Sequence, residues 1–221
     1  MAQPARIEPV ERPFYPIRMT WVLLGLLLLS ALLGGVSTDV AHLRQLGARP
    51  PLYGFNPRPQ HLIAPLFLHG GWGHFLCNFL SLFTVGSALE MVAGGACLVY
   101  LFFWAGIASL LGSLYHDPQM TSLGCSGAVF GIWAARVVHG WCRPLEEDRF
   151  RLLGLFVFSV FLTIVPAQMG VPVDHVGHFA GMIGGVVAYL AFRLGGWLRW
   201  GVLLALVLTA AWVARPPWTP F

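Results

Sequence analysis

The sequence predicts an all-α polytopic membrane protein, and its composition and hydropathy carry that prediction. Hydrophobic residues make up 57% of the 221 positions, charged residues make up only 10%, and the mean hydropathy is +0.72. Soluble globular domains hold about 25% charged residues, so this chain lies far outside their usual range. Because a helical span needs about 20 apolar residues, the chain has room for about six or seven spans and for no sizeable soluble domain.

Seven apolar stretches follow one another along the chain, separated by short polar segments. The predicted spans are residues 19–36, 73–92, 94–114, 123–139, 152–168, 175–192 and 197–214. We expect residues 1–18 to form a tail, residues 19–195 a membrane domain, and residues 196–221 a seventh span with a short C-terminal tail. A cleaved signal peptide is the alternative for the first stretch, which is longer than the usual h-region of about 7–15 residues and lacks a clear small-x-small cleavage site.

The basic residues are all arginine, and their placement predicts the orientation. With a cytoplasmic N-terminus, nine arginines lie in inside segments and four in outside segments, which the positive-inside rule favours. No basic run is long enough to suggest a nucleic-acid partner. The hydrophobic composition instead indicates that the lipid bilayer surrounds the protein. Small size and the absence of organelle-targeting features suggest a prokaryotic plasma membrane.

A long connection, residues 37–68, joins the first two predicted spans. It holds three arginines and five prolines, interleaved with apolar side chains. Such a segment is too polar to cross the membrane, and we expect it to lie in the interface as a partly inserted loop. Its arginines are interpreted as residues at a membrane flank.

Polar motifs open three of the predicted spans. The second span opens with His74-Phe75-Leu76-Cys77-Asn78, the fourth with Gly124-Cys125-Ser126-Gly127, and the sixth with Asp174-His175-Val176-Gly177-His178. Even-numbered spans enter the membrane from the same side, so these motifs lie at one surface whichever way the protein is inserted. A hydroxyl, imidazoles and a carboxamide at one depth are the parts of a serine hydrolase.

Ser126 is the candidate nucleophile. In the first turn of a helix, backbone N–H groups lack intrahelical partners and the helix dipole is positive, so these groups can stabilise an oxyanion. Gly124 and Gly127 allow backbone and substrate to approach closely. The alternative is that Gly-x-Ser-Gly is a helix cap and packing motif, since serine and glycine are both common where membrane helices touch.

His178 is the candidate general base that a serine hydroxyl needs. An ionisable side chain within a span is costly and indicates function. Gly181 and Gly185 lie one turn apart below it, and such a face lets helices pack closely enough to bring an imidazole within about 3 Å of Ser126. The alternative is plain helix packing with His178 bonded to a loop. Asp174 either caps the sixth helix or orients His178 as a third triad member.

His74 and Asn78 are four residues apart, so they share a helix face. Both can donate hydrogen bonds, which suits part of an oxyanion hole. The alternative is a polar contact that ties the second span to the long connection. His69, in the turn before this span, and Glu90, at its far end, are expected to be structural.

These motifs, in this order, resemble the rhomboid intramembrane serine proteases over about residues 58–192. The resemblance implies a rhomboid-like six-helix core plus one additional C-terminal transmembrane helix, with a Ser–His dyad below the outer surface that water reaches. Carried over by position, Ser126 is the nucleophile and His178 the base. The oxyanion hole then consists of His74, Asn78 and the Ser126 backbone N–H.

Two positions depart from the family's pattern. A Trp-Arg pair that is common in the family's first loop falls at Gln60-His61, which leaves the anchoring of that loop open. The aromatic residue that stacks on the catalytic histidine is often Tyr and is here Phe130, so stacking is expected without a hydroxyl. Glu90 matches an acidic structural position of the family.

The resemblance implies a serine endopeptidase, with neither cofactor nor metal, that cleaves membrane-anchored proteins near the outer end of a transmembrane helix. One alternative is a non-catalytic rhomboid-like protein that binds such helices, although those proteins usually lack the serine or the histidine. A metal transporter or metalloprotease is disfavoured, because the chain has no His-Glu-x-x-His motif and few acidic residues within the spans. The four cysteines show no CxxC spacing and are expected to be free thiols.

Overall fold

The computed structural model describes residues 14–49, 59–117, 119–142, 154, 157 and 173–213. The α-helices of these residues are α1 (Arg18–Ser30), α2 (Val40–Gln45), α3 (Trp72–Ala93), α4 (Gly95–His116), α5 (Ser126–Cys142), α6 (His175–Leu194) and α7 (Gly196–Val213). A π-helix, Ala31–Gly35, continues α1, and the 3₁₀ helices Pro59–Leu62 and Ala64–Phe67 precede α3. The predicted fifth span, residues 152–168, lies outside the described residues apart from Gly154 and Val157.

Helices long and apolar enough to cross a membrane account for about half of the described residues. Four segments meet this criterion, namely Arg18–Gly35, Trp72–Ala93, Gly95–His116 and His175–Leu194. The prediction of an all-α polytopic membrane protein is therefore confirmed. The predicted total of six core spans plus a seventh, and the domain boundaries, stay predictions.

The shorter helix α5 begins later than the sequence pattern suggested. The apolar run starts at Leu123, but Gly124 has a φ of +99°, in the left-handed region that glycine favours and that a helix does not use. The helix therefore starts at Ser126 and has 17 residues.

Helices α5 and α6 touch through their glycines. A Cβ atom on Gly181 would overlap the backbone of Gly127, and one on Gly185 would overlap the backbone of Gly131. Close backbone approach of this kind is the usual product of small residues spaced four apart on membrane helices. Gly127 lies next to Ser126, and Gly181 lies one turn from His178. This packing therefore determines how near the side chains of Ser126 and His178 come to each other.

The long first connection packs against the ends of α3 and α5. Leu43, Ala48, Leu66 and Leu68 are buried within it. One backbone bridge joins Val36 to His69 and another joins Arg49 to Ser122. We call the ends of α3, α5 and α6 beneath this connection the serine end of the molecule.

The arginines of the connection differ in burial, which the sequence pattern does not indicate. The side chain of Arg49 is buried, with 4% exposure, whereas that of Arg44 is exposed. Arg58 lies outside the described residues. Arg49 pairs through its backbone with Ser122, 73 residues away, and this pairing places its side chain in the interior. No local sequence pattern indicates such a contact.

At the opposite end of α3, Glu90 caps α1. Its carboxylate accepts hydrogen bonds from the backbone N–H of Met19 at 2.8 Å and from the N–H and hydroxyl of Thr20, each at 2.7 Å. A carboxylate at a helix N-terminus satisfies free N–H groups and matches the helix dipole. Glu90 therefore has the structural environment that the sequence suggested, far along α3 from the His74 motif.

Candidate active site

Ser126 occupies the first position of α5, directly after a constrained turn. A Cβ atom on Gly124 would come within 2.7 Å of the His74 ring, so the turn requires glycine for both its backbone angle and its space. Ser126 is half-buried, and the N–H groups of the first helical turn surround it. This arrangement places the hydroxyl beside donors that have no intrahelical acceptor.

His178 contacts Ser126 across the interface between α5 and α6. The distance from Ser126 Oγ to His178 Nε2 is 2.7 Å, and both side chains are half-buried. A neutral imidazole that accepts this bond at Nε2 carries its proton on Nδ1. The structure thus brings the predicted nucleophile and the predicted base into direct contact.

Asp174 contributes a helix cap rather than a third member of this pair. Its Oδ1 accepts a hydrogen bond of 2.8 Å from the Gly177 N–H at the start of α6. Among the described residues, the buried Nδ1 of His178 has no hydrogen-bond partner. Of the two roles considered for Asp174, the cap is therefore the one that its contacts support.

Phe130 lies against the imidazole. The two ring centroids are 4.8 Å apart, and the ring planes are inclined by 34°. Such a contact limits the orientations open to the His178 ring. Having Phe at this position keeps the ring contact and removes only the hydroxyl that Tyr would bring.

His74 and Asn78 line the other side of the turn. The Gly70 N–H donates to His74 Nδ1 at 3.3 Å, so in the neutral ring the proton lies on Nε2, beside Gly124. The Asn78 carboxamide donates through Nδ2 to the His74 carbonyl at 3.0 Å and also lies near Gly124. Two side-chain N–H donors therefore face the turn that carries Ser126.

A buried thiol supports this carboxamide, and sequence reasoning gave it no role. Cys125 Sγ donates to Asn78 Oδ1 at 3.5 Å and lies 4.0 Å from Nε2 of His69. Both Cys125 and His69 are fully buried. With Oδ1 occupied in this way, Nδ2 of Asn78 is the atom available for donation.

His69 itself stays neutral at ordinary pH. Burial, with a smaller contribution from the neighbouring His74, lowers the pKa of His69 to about 3. Its ring packs edge-on against those of His74 and Phe75, with centroid distances of 5.2 and 5.5 Å. These contacts agree with the structural role that the sequence suggested for His69.

The described part of the chain holds no group of three or more His, Cys, Asp or Glu side chains that could bind a metal ion. The four cysteines are free: Cys97 and Cys125 are buried, Cys77 is half-buried and Cys142 is exposed.

Comparison with known proteins identifies the family. A family model described as the Rhomboid domain matches residues 57–194. The chain is 29% identical over 165 residues to rhomboid protease GluP of Bacillus subtilis. This alignment covers 73% of this chain and 32% of that protein. It is 27% identical over 128 residues to putative rhomboid protease YdcA of the same species, covering 56% of this chain and 62% of that protein.

A plant relative gives a similar match. The chain is 31% identical over 153 residues to rhomboid-like protein 11, chloroplastic, of Arabidopsis thaliana, which covers 62% of this chain and 53% of that protein. The alignments thus span between about a third and just under two thirds of these relatives' own lengths. Because the family model covers more than half of this chain and includes all three polar motifs, the protein belongs to the rhomboid family.

Proposed function

We propose that this protein is an intramembrane serine endopeptidase that cleaves membrane-anchored proteins near the outer end of a transmembrane helix. The observation that carries the proposal is the 2.7 Å contact between Ser126 Oγ and His178 Nε2 at the N-terminus of α5. A serine needs an adjacent base to act as a nucleophile, and this geometry supplies one. Membership of a family whose named relatives include rhomboid proteases supports the same reaction class.

In the first half of the reaction, His178 accepts the proton of Ser126 as Oγ attacks the carbonyl carbon of the substrate peptide bond. The resulting oxyanion accepts hydrogen bonds from the Ser126 N–H, His74 Nε2 and Asn78 Nδ2. Collapse of this intermediate breaks the C–N bond, and the leaving amine takes the proton from His178.

In the second half, water attacks the acyl-enzyme with His178 again as the base, and Ser126 is released. Water must therefore reach the site from the outer surface. Every proton moves between groups of the protein, the substrate and water, so the reaction needs neither a metal nor an organic cofactor.

The substrates are single-pass or other membrane-anchored proteins that enter the site from the bilayer. An attacked peptide bond must lie in an extended segment, because a helical backbone buries its carbonyl groups in intrahelical hydrogen bonds. We expect small or helix-weakening residues around the cleaved bond. The N-terminus lies in the cytoplasm and the serine end at the outer face of a prokaryotic plasma membrane.

The dyad predicts the pH dependence of cleavage. Only a neutral imidazole can take the serine proton, so the rate falls as pH falls and His178 becomes protonated. Initial rates between pH 5 and 8, measured on protein shown to stay folded throughout, test this expectation. A rate that rises as the pH falls across that range would contradict the role of His178 as the base.

Cleavage in a bilayer tests the function directly. The purified protein is reconstituted into liposomes with a fluorescently tagged single-span reporter, and the products are mapped by mass spectrometry. We expect one cut near the outer end of the reporter helix, unaffected by a metal chelator and absent with Ser126→Ala. Binding of a panel of reporters without cleavage, by protein shown to be folded, would instead support a non-catalytic helix-binding protein.

A further inference from the structure

Arg49 is a charged side chain that the mechanism above does not use and that the fold buries almost completely. It follows α2 in the first connection and has 4% exposure. Burying a guanidinium is costly unless its donors find acceptors, and removing those acceptors afterwards is strongly destabilising. The partners of Arg49 therefore indicate which part of the fold depends on it.

Those partners lie in the last turn of α4 and in the connection between α4 and α5. Nη2 of Arg49 donates to the Met120 carbonyl at 2.7 Å, to Ser122 Oγ at 2.8 Å and to Ser113 Oγ at 3.3 Å. The two serine hydroxyls are themselves 2.5 Å apart. The main chain adds a reciprocal pair, from Arg49 N–H to the Ser122 carbonyl at 3.1 Å and from Ser122 N–H to the Arg49 carbonyl at 3.2 Å.

The segment held in this way leads straight into the nucleophile. Only three residues separate Ser122 from Ser126, and the middle one, Gly124, packs against the His74 ring. A further hydrogen bond of 2.8 Å runs from the Gly124 N–H to the Pro65 carbonyl, so the first connection grips the segment at a second point. A shift at Ser122 would therefore be transmitted to the turn that carries Ser126.

The charge of Arg49 also relates to the start of α6. Burial lowers the pKa of Arg49 to about 10, while the negative charges of Asp174 and Asp117 act in the opposite direction. The guanidinium thus stays charged at neutral pH. Asp174 caps the helix that bears His178, so the charge of Arg49 also interacts with the beginning of that helix.

We propose that Arg49 is a positioning residue for Ser126, which fixes the connection between α4 and α5 and thereby the turn that presents the nucleophile. The proposal rests on the proposed function of Ser126. Arg49 provides the anchoring of the first connection that the Gln60-His61 departure left open.

Two readouts test this role, one of them independent of catalysis. Cys125 lies inside the turn and is fully buried, so its rate of modification by N-ethylmaleimide, assigned by mass spectrometry, reports whether the turn stays in place. Cys97 on α4 is equally buried and reports general unfolding, and Cys142 is exposed and reports reagent activity. The second readout separates kcat from KM in reporter cleavage.

We compare Arg49→Gln with Arg44→Gln as the matched control. Arg44 also donates hydrogen bonds to the connection between α4 and α5. Its Nε and Nη2 lie 3.0 and 2.6 Å from Thr121 Oγ1, but this contact is at the exposed surface. In Arg49→Gln we expect modification of Cys125 to become at least about tenfold faster with Cys97 unchanged, and kcat to fall about tenfold at similar KM, because small displacements of reacting groups cost much rate. Arg44→Gln should match the wild type in both readouts.

Arg49→Lys keeps a charge and part of the donor set, so it should fall between Arg49→Gln and the wild type. If Arg49→Gln does not fold, the double variant Ser113→Ala with Ser122→Ala removes two acceptors while keeping the arginine, and its Cys125 should also become more reactive. Unchanged protection of Cys125 in whichever variant folds, or a joint rise at Cys125 and Cys97, would overturn the positioning role. Failure of the wild type to cleave would count against the proposed function alone, because the thiol readout does not need activity.

Discussion

Helices α5 and α6 carry two contacts between a histidine and a hydroxyl, one near each end, and only one of them has the surroundings of a catalytic pair. At the serine end, Ser126 Oγ lies 2.7 Å from His178 Nε2. At the opposite end, Tyr189 OH lies 2.7 Å from His139 Nδ1. The helix pair and the distance are the same, so the hydrogen bond alone does not distinguish the two sites.

Their surroundings differ in electrostatics and access. Ser126 begins α5, where the helix dipole is positive, whereas His139 lies in the last turn of α5, where it is negative. His139 and Tyr189 are 7% and 2% exposed, while Ser126 and His178 are both half-buried. A developing oxyanion would thus be stabilised at the serine end and disfavoured at the other. We interpret the His139–Tyr189 contact as a structural link between the helices.

The largest expected effect comes from breaking both contacts at once. Gly181→Val would place its side chain against the backbone of Gly127 and force α5 and α6 apart. We expect cleavage to fall by more than about 1000-fold, since even 1 Å of misplacement can cost about 100-fold, together with a lower melting temperature. The matched control is Gly25→Val in α1, where a Cβ meets open space; equal behaviour of the two variants would contradict the packing argument.

Removing one donor beside Ser126 should have the next largest effect and should act at the serine end only. Asn78→Asp keeps the shape of the side chain but replaces Nδ2 with an acceptor. We expect kcat to fall about 100-fold, as for loss of one oxyanion-hole donor, with little change in KM. Steady-state cleavage measures both constants. A rise in KM at constant kcat would instead assign Asn78 to substrate binding.

The contact at the opposite end should affect stability without affecting chemistry. Tyr189→Phe removes the hydroxyl partner of His139, and we expect the free energy of unfolding to fall by about 1 kcal/mol, as for other hydrogen bonds between membrane helices. Denaturation in mixed micelles measures this change, with Tyr115→Phe as an exposed control. A fall in kcat per folded molecule would mean that the two ends are coupled.

The last expected effect concerns the pH dependence of stability. Because burial lowers the pKa of His69 to about 3, the unfolded chain takes up a proton below about pH 6.5 that the folded protein does not. The stabilisation that comes from keeping His69 neutral is therefore complete above about pH 6.5. This contribution is progressively lost as the pH falls towards 3. His69→Gln should flatten this dependence between pH 7 and 5, measured by denaturation at each pH; equal slopes for wild type and His69→Gln would contradict the assignment.

Sequence reasoning reached the parts of the site that follow from local pattern. The three polar motifs open even-numbered spans, and Gly181 and Gly185 repeat at the spacing of a helix face, so the approach of His178 to Ser126 could be predicted. Arg49 and Cys125 could not be assigned in this way. Their contacts join residues 73 and 47 positions apart through the path of an irregular connection, which no periodicity specifies.

The start of α5 shows the same limit on a smaller scale. Hydropathy places the beginning of the fourth span at Leu123, but the left-handed Gly124 delays the helix to Ser126. The backbone angle depends on packing against His74, a residue of another helix. Apolar composition predicts that a span exists and where it approximately lies, and tertiary contacts determine its first residue.

The most direct test of an activated serine is covalent labelling by a fluorophosphonate probe. Purified wild type is compared in detergent with Ser126→Ala, His178→Ala and Tyr189→Phe, each shown to be folded. We predict labelling of the wild type and of Tyr189→Phe, and its loss in Ser126→Ala and His178→Ala, because only the contact at the serine end activates a hydroxyl. A folded wild type that remains unlabelled, or labelling that persists in Ser126→Ala, would contradict the assignment of Ser126 as the nucleophile.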